Sequence, residues 1–347
     1  MSFDLDKLVR ANILSLAPYS CARNEFSGEA SVYLDANESP YNGPYNRYPD
    51  PLQVEVKAEI SKIKGVPAEK IFLGNGSDEC IDQVYRVFCE PKVDNVVAIA
   101  PSYGMYEVCA DINNVGYRKV ALNDDYTLRA DALLAACDAN TKAIWICSPN
   151  NPTGNAFPVE EIEKVVNGFG GIVIVDEAYA DFSAKESMRF KLNQHPNMLV
   201  MQTFSKAWGS AGVRLGMAFA SEEIIGLFNK VKYPYNVNIL TQQYALNHMK
   251  QIATVQQWID TTLSERARLI KALEALPQVI ETYPTDANFV LVKVTDANAI
   301  YTYLQGLGII VRNRNKVEKC LGCLRITVGT PEENNAVIKG IESYGTK

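Results

Sequence analysis

Histidine is scarce: His195 and His248 are the only two in 347 residues. Acid–base chemistry near neutral pH must use one of these two or a different kind of group. An excess of positive charge is also missing. Lys and Arg total 34 against 40 Asp and Glu, a net charge of −6, which argues against nucleic acid or an anionic membrane as the main partner. No apolar run approaches the ~20 residues that a membrane helix requires. The opening MSFDLDKLVRANILSL carries acids early and lacks the charged, apolar, small-residue order of a secretory signal, so a cytoplasmic protein is expected. Internal repeats, low-complexity segments and charge runs beyond solvated helix faces are absent as well.

The eight cysteines, Cys21, Cys80, Cys89, Cys109, Cys137, Cys147, Cys320 and Cys323, are scattered, several within apolar runs such as AIWICSPN. That is the pattern of free, buried thiols and not of a disulfide framework. Cys320 and Cys323 form a lone C-x-x-C with no second pair and no neighbouring histidine, so no metal is expected.

At ~150 residues per domain, the length favours two domains, or one large and one smaller. Residues 1–45 are rich in Pro, Tyr and Asn and read as an ordered arm with turns. A helix is expected from about residue 52 to a stop at Gly65. Short apolar runs then alternate with helical stretches: VVAIA (96–100), AIWIC (143–147), IVIVD (172–176), MLVMQTF (198–204) and LGMAFA (215–220). Strands without polar alternation are covered on both faces, as in a parallel sheet between helices. The expected large domain, 46–235, is therefore α/β, with three layers (α/β/α) and a mostly parallel sheet. Past Pro234 the pattern changes. A long helical stretch, 240–275, precedes NFVLVKV, a helix, GIIVRN and CLRITVG, which predicts a smaller α+β C-terminal domain, 236–347.

Chemistry-bearing residues gather where strands end. In TFSKAWGSAGVRLG, Lys206 follows an apolar strand among small residues, with Arg214 eight positions later. An uncharged pocket depresses a lysine's pKa and makes its amine a nucleophile toward a carbonyl. Ser205 and Arg214 can hold a phosphate; a surface lysine in a Gly/Ser loop is the plainer alternative. In IVIVDEAYADF the strand runs into Asp176, with Tyr179 three residues later, at the edge where open α/β sheets bind ligands. Behind an apolar strand that carboxylate needs a cationic partner. A protonated heteroaromatic nitrogen would serve; a carboxylate capping a turn is the alternative. Glu177 reads as structural. AIWICSPNNPTG puts Asn151 in an Asn-Pro turn at the same edge. In IFLGNGSDECIDQVYRVF, Gly74 and Gly76 make a turn, Ser77 reads as an N-cap, and the helix beyond offers its amides and dipole to an anion. Tyr103 in PSYGMYE can stack on a flat ring, or lie in the core. An amine, a carboxylate, a phenol with an amide, a stacking aromatic and a phosphate cradle together describe a pyridoxal-phosphate site.

TFSKAWGSAG resembles the signature around the cofactor lysine of the class-II, fold-type-I pyridoxal-phosphate-dependent aminotransferases. Within that class the chain is similar to the histidinol-phosphate aminotransferase family. RANILSLAPYSCAR, LDANES, NRYP, GNGSDE, PSYGMY, CSPNNPTG, VDEAY, FSKAWGSAGVRLG, IIVRN and GCLRITVGT occur in the family's order along essentially the whole chain. Ser210 stands where the family often has Leu, and Met217 where an aromatic is common.

The resemblance implies a fold-type-I transferase in which Lys206 bonds to the cofactor aldehyde and then carries a proton between the substrate Cα and C4′. It implies that Asp176 pairs with the pyridine nitrogen, that Tyr179 and Asn151 contact the 3′ oxygen, and that Tyr103 stacks on the ring. The backbone at Ser77 and Asp78, with Ser205 and Arg214, would hold the phosphate. Tyr48, from NRYP, would reach the phosphate of the other subunit's cofactor, making the enzyme a homodimer. Arg325 would bind the carboxylate of glutamate or 2-oxoglutarate. Arg312 and Tyr19, with Arg10 or Arg23, would meet the phosphate of the other substrate. The activity implied is ping-pong amino transfer between L-histidinol phosphate and 2-oxoglutarate, in histidine biosynthesis. Alternatives are a threonine-phosphate decarboxylase and an aromatic amino-acid aminotransferase. A pyridoxal-phosphate-binding regulator would want a DNA-binding module, for which the chain has no basic stretch.

Overall fold

The computed structural model describes residues 3–21 and 30–345. Seven strands form one sheet: β1 (Ile71–Asn75), β2 (Asn95–Ala100), β3 (Gly116–Ala121), β4 (Thr141–Cys147), β5 (Ile172–Asp176), β6 (Met198–Thr203) and β7 (Leu215–Phe219). Their order is β1-β7-β6-β5-β4-β2-β3. The pairs β3–β2, β2–β4, β4–β5 and β5–β6 are parallel, while β7 is antiparallel to both β6 and β1. The reason is local. Residues 204–214, between β6 and β7, contain only the short turn Ala211–Val213, and a parallel neighbour would need a crossover of about a dozen residues or more.

Alternation along each strand divides the core into two layers. Val97, Ile99, Ile144, Ile146, Val173 and Val175 join one cluster, with the helices Val54–Lys64 and Val159–Gly168 against it. Their neighbours Val96, Ala98, Ala143, Trp145, Ile172 and Ile174 join the other, beneath the helices Gly76–Phe88, Met105–Ile112 and Glu222–Val231. In Val159–Gly168 the buried residues Ile162, Val165 and Val166 recur at the three-to-four spacing of one helical face. Each such side chain contributes about 1.5–3 kcal/mol when fully removed from water. The helix Val54–Lys64 stops where the sequence predicts, at Gly65, whose φ of +67° is left-handed.

A second sheet, wholly antiparallel, is built from β8 (Val279–Thr282), β9 (Phe289–Val294), β10 (Arg312–Asn313) and β11 (Cys323–Thr327), in the order β10-β11-β9-β8. Val290, Val292 and Leu324 on one face pack with the helices Ile252–Glu274, Ala297–Gly306 and Pro331–Glu342. The opposite face, through Phe289, Leu291 and Cys323, joins the core of the large sheet. That shared packing brings β11 up to the ends of β4 and β5. Val237, Ala245, Met249, Val255 and Ile259, which follow Pro234, also belong to this large core.

Several elements differ from the sequence reading. β3 (GYRKVA) is an edge strand and largely exposed, so it lacks the apolar run that marks its neighbours. The predicted long helix is two, Ile239–Met249 and Ile252–Glu274. GIIVRN supplies only the two-residue β10. Among its described residues the arm holds two short helices, Leu5–Leu8 and Ala11–Leu14. Ser77 is not an N-cap: the helix begins at Gly76 after Asn75, so Ser77 lies in its first turn. All eight cysteines are free, and no group of three metal-ligating side chains occurs among the described residues. No helix among the described residues is long and apolar enough to cross a membrane.

Candidate active site

A cavity of about 690 Å³ opens at the carboxyl ends of β4, β5 and β6, lined there by Cys147, Asp176 and Thr203. This is the edge at which open α/β sheets bind ligands. Asp176, at its floor, is 3% exposed. Its Oδ2 accepts a hydrogen bond from Tyr106 Oη at 2.5 Å, and its Oδ1 accepts one from the Ala178 amide at 3.1 Å. Burial pushes the Asp176 pKa up, while these two donors and the charge of Lys206 pull it down. Among the described residues it forms no ion pair within 4.0 Å, so a cation in the cavity would complete it.

Lys206 projects from the loop after β6 into the cavity, its Nζ 5.5 Å from the centre of the Tyr179 ring. The surrounding protein lowers its pKa, Arg325 and Arg214 push the same way, and Asp176 opposes them. Its neutral form, the nucleophile, is therefore more populated than for a lysine in water. Tyr179 Oη accepts from Asn151 Nδ2 at 3.4 Å, and Asn151 Oδ1 in turn accepts from Arg325 Nη1. Arg325 also lies over the Phe289 ring at 5.1 Å. A chain of polar contacts thus links the second sheet to the first.

The opposite wall is the N-terminus of the helix Gly76–Phe88, which has no side-chain cap. Amides in such a first turn remain open to an anion. Ser77 and Asp78 line the cavity here, with Thr203, Ser205 and Arg214. The Ser205 amide donates to Thr203 Oγ1 at 3.1 Å, and that hydroxyl donates to Ser205 Oγ at 3.0 Å. Arg214 Nη2 pairs with Asp78 Oδ2 at 3.1 Å, and Tyr103 Oη donates to Asp78 Oδ1 at 3.3 Å. Arg214 itself adopts a left-handed φ of +57°, a strain of about 1–3 kcal/mol of the kind that gathers at functional sites. Its carbonyl accepts from the Gly76 amide at 2.8 Å, which ties loop and helix start together.

The small-sheet side carries three guanidinium groups. Arg312 and Arg325 are cross-strand partners on β10 and β11, and Arg314 follows just past the end of β10; all three line the cavity. Burial and the charges of Arg325 and Arg312 push Arg314 down to about 10. Nε of both Arg314 and Arg325 is buried without a partner, and no carboxylate among the described residues lies within 4.0 Å of any of the three. Positive charge is left over.

Of the residues singled out from sequence, Ser77, Asp78, Tyr103, Asn151, Asp176, Tyr179, Ser205, Lys206, Arg214, Arg312 and Arg325 converge on this one cavity. Tyr48 and Tyr19 do not line it. Tyr48 is exposed and stacks on Tyr235 at 4.3 Å; Tyr19 is 70% exposed. Arg10 is engaged elsewhere, with Glu90 at 3.0 Å and the Arg86 carbonyl, and Arg23 lies outside the described residues. Glu177 is buried and takes bonds from Ser187 Oγ, the Met188 amide and Gln202 Nε2, a structural anchor as read from sequence. Sequence reasoning missed Thr203, Tyr106 and Arg314. A signal existed for two of them: Tyr106 lies one helical turn after Tyr103, and Arg314 repeats Arg312 at strand spacing.

The donor set fits pyridoxal phosphate. A buried anion without an ion pair suits a cationic ring nitrogen, a lysine amine suits an aldehyde, and an uncapped helix start beside an arginine suits a phosphate. Comparison with known proteins agrees. The family described as aminotransferase class I and II matches residues 22–341. The chain is 58% identical over 341 residues to the histidinol-phosphate aminotransferase of Bacteroides fragilis (strain YCH46), which covers 98% of this chain and 99% of that protein. The crystal structure of histidinol-phosphate aminotransferase from Sinorhizobium meliloti in complex with pyridoxal-5'-phosphate superposes with a TM-score of 0.79 at 21% identity, over 88% of this chain and 89% of that one. L-threonine-O-3-phosphate decarboxylase from Porphyromonas gingivalis gives 0.72 at 22% identity, over 87% and 92%. Both structural likenesses speak to fold alone.

Proposed function

The chain belongs to the class I and II aminotransferases, and we infer that it transfers an amino group between L-histidinol phosphate and 2-oxoglutarate, giving imidazole-acetol phosphate and L-glutamate, as in histidine biosynthesis. It is a pyridoxal-phosphate enzyme. The observation that carries the choice of substrates is the surplus of arginine: Arg312, Arg314 and Arg325 face one cavity without a carboxylate partner. Two anionic substrates, one with a carboxylate and one with a phosphate, answer that surplus in turn.

When bound, pyridoxal phosphate supplies an aldehyde carbon that takes up the amino group and a cationic ring that withdraws electrons. The protein supplies the rest. Asp176 stays ionised and holds a proton on the ring nitrogen. Asn151 and Tyr179 bind the ring hydroxyl oxygen, and Tyr103 stacks on the ring. Ser77, Asp78, Ser205 and Arg214 bind the phosphate. Lys206 would hold the aldehyde carbon through Nζ and would carry the proton at that atom, for which its lowered pKa suits it. Arg325 binds the carboxylate of glutamate, and Arg312 with Arg314 binds the substrate phosphate. Tyr48 completes the phosphate site of a second copy in a homodimer. Support for that dimer comes from large apolar side chains left exposed on and beside the arm: Val32, Leu34, Tyr41, Tyr45 and Tyr233.

A substrate panel tests the reading. With 2-oxoglutarate as acceptor, kcat/KM should fall in the order histidinol phosphate, histidinol, phenylalanine, without release of carbon dioxide. Equal rates for phenylalanine and histidinol phosphate would make it a broad aromatic aminotransferase, and carbon dioxide released from threonine phosphate would make it a decarboxylase.

A further inference from the structure

Beneath the cavity, Tyr106 is wholly buried, with its hydroxyl 2.5 Å from Asp176 Oδ2. It shares its helix start with Tyr103: one ring faces the cavity, the other lies under it, and the two meet edge to face at 5.6 Å. The Tyr106 ring stacks on Trp145 at 4.6 Å and 15°, and Trp145 stacks on Tyr85 at 5.7 Å and 21°. Tyr85 Oη closes the stack by donating to the Tyr106 carbonyl at 2.6 Å. A phenol held on this many sides has little freedom in where it donates.

The other oxygen of Asp176 is taken by the Ala178 amide. Two donors from different elements therefore hold the two oxygens, and rotating the carboxylate breaks at least one bond. Burial first, then the charge of Asp176, drives the Tyr106 hydroxyl far above its ordinary pKa, so it stays protonated and donates at any working pH. The other titratable groups around Asp176 are Asp78, Cys80, Tyr103, Cys147, Tyr179 and Lys206. Within 3.5 Å, only Tyr106 gives it a side-chain hydrogen bond among the described residues.

We propose that Tyr106 is a positioning residue, whose hydroxyl keeps the Asp176 carboxylate ionised and turned toward the cofactor ring nitrogen and so sets how firmly that nitrogen keeps its proton. The inference rests on the role given to Asp176 above. It assigns to a residue outside the cavity part of the control over the cofactor's electron demand, through a hydrogen bond to a charged group of the stronger kind.

The test uses the holoenzyme with Tyr106→Phe, which keeps ring and stack and deletes the hydroxyl, with its bond to Asp176 and its contact with Cys147. The cofactor should remain bound. The pH midpoint of the bound cofactor's absorbance change, followed without substrate, should move up by about 0.5 unit or more, because a ring that holds its proton less firmly leaves the nitrogen joined to Lys206 more basic. The kcat with histidinol phosphate should fall about 10-fold, with KM held within about 2-fold. Tyr85→Phe, which removes a hydrogen bond from the same stack but not from Asp176, should leave the midpoint where it is. An unmoved midpoint in Tyr106→Phe, or an equal shift in Tyr85→Phe, overturns the proposal. The absorbance readout needs no amino donor, so a different substrate preference would not disturb it.

Discussion

Gly216 on β7 backs directly onto Ser77: a Cβ built on Gly216 would stand 2.2 Å from the Ser77 nitrogen and 2.3 Å from the Gly76 carbonyl carbon. Helix start and strand touch through backbone alone, and the first helical turn sits where a phosphate can meet it. Gly216→Ala must push that turn away. We expect a stability loss of about 1–3 kcal/mol, as for other overpacked sites, and weaker cofactor binding. Thermal melts and titration of apoprotein with pyridoxal phosphate measure both; wild-type affinity would show that the close approach is irrelevant to the phosphate.

Lys206→Ala should lower turnover by about 10²–10⁴-fold or more, since both the covalent link and the proton carrier disappear. The fold and some non-covalent cofactor binding should persist, because Asp176, Tyr103 and the phosphate cradle remain. Single-turnover measurements with histidinol phosphate check this. Full turnover by the variant contradicts the role given to the lysine.

Arg314→Gln separates binding from stability. Losing one charge-assisted contact should raise KM for histidinol phosphate about 10-fold or more, with a smaller effect on glutamate. Three like charges on one face repel one another, so the melting temperature of the variant should stay level or rise. A KM unchanged for both substrates would remove Arg314 from the anion site.

A pair of buried amines gives the protein a predicted alkaline response. Burial, reinforced by the charge of Lys232, pushes Lys57 down to about 8, with Asp50 opposing. Lys232 is also pushed to about 8, chiefly by burial, although its Nζ donates to the carbonyls of Pro51 and Pro234 at 2.8 and 2.9 Å. In the unfolded chain a lysine titrates near ~10.4. Between about pH 8 and 10 the unfolded chain therefore binds more protons, so stability from these groups grows as pH rises and is lost as it falls through 8. Lys57→Met should accordingly be more stable than wild type at pH ~7 by about 1–3 kcal/mol, with the difference shrinking toward pH ~10. A constant difference across that range, read by thermal melts, would refute the assignment.

Much of the site can be read locally because each group ends a buried strand or opens the next turn. Asp176 closes IVIVD, Asn151 follows AIWIC, Lys206 follows MLVMQTF, and all parallel strands deliver their ends to the same edge. Tyr106 and Arg314 escaped because their significance depends on neighbours distant in the chain. Tyr106 meets Asp176 across 70 positions, and Arg325, beside Arg314, meets Asn151 across 174.

By itself the sequence determined the alternation of apolar strands with helices, and the residue types set at the strand ends. Both depend only on local periodicity and on the cost of burying polar backbone. Tertiary structure alone decided that one face of the second sheet packs into the core of the first, that the second sheet's arginines share a cavity with Lys206, and that a phenol from another helix lies under Asp176. These follow from which faces pack together, a cooperative outcome of burial over the whole chain that no window of neighbouring residues contains.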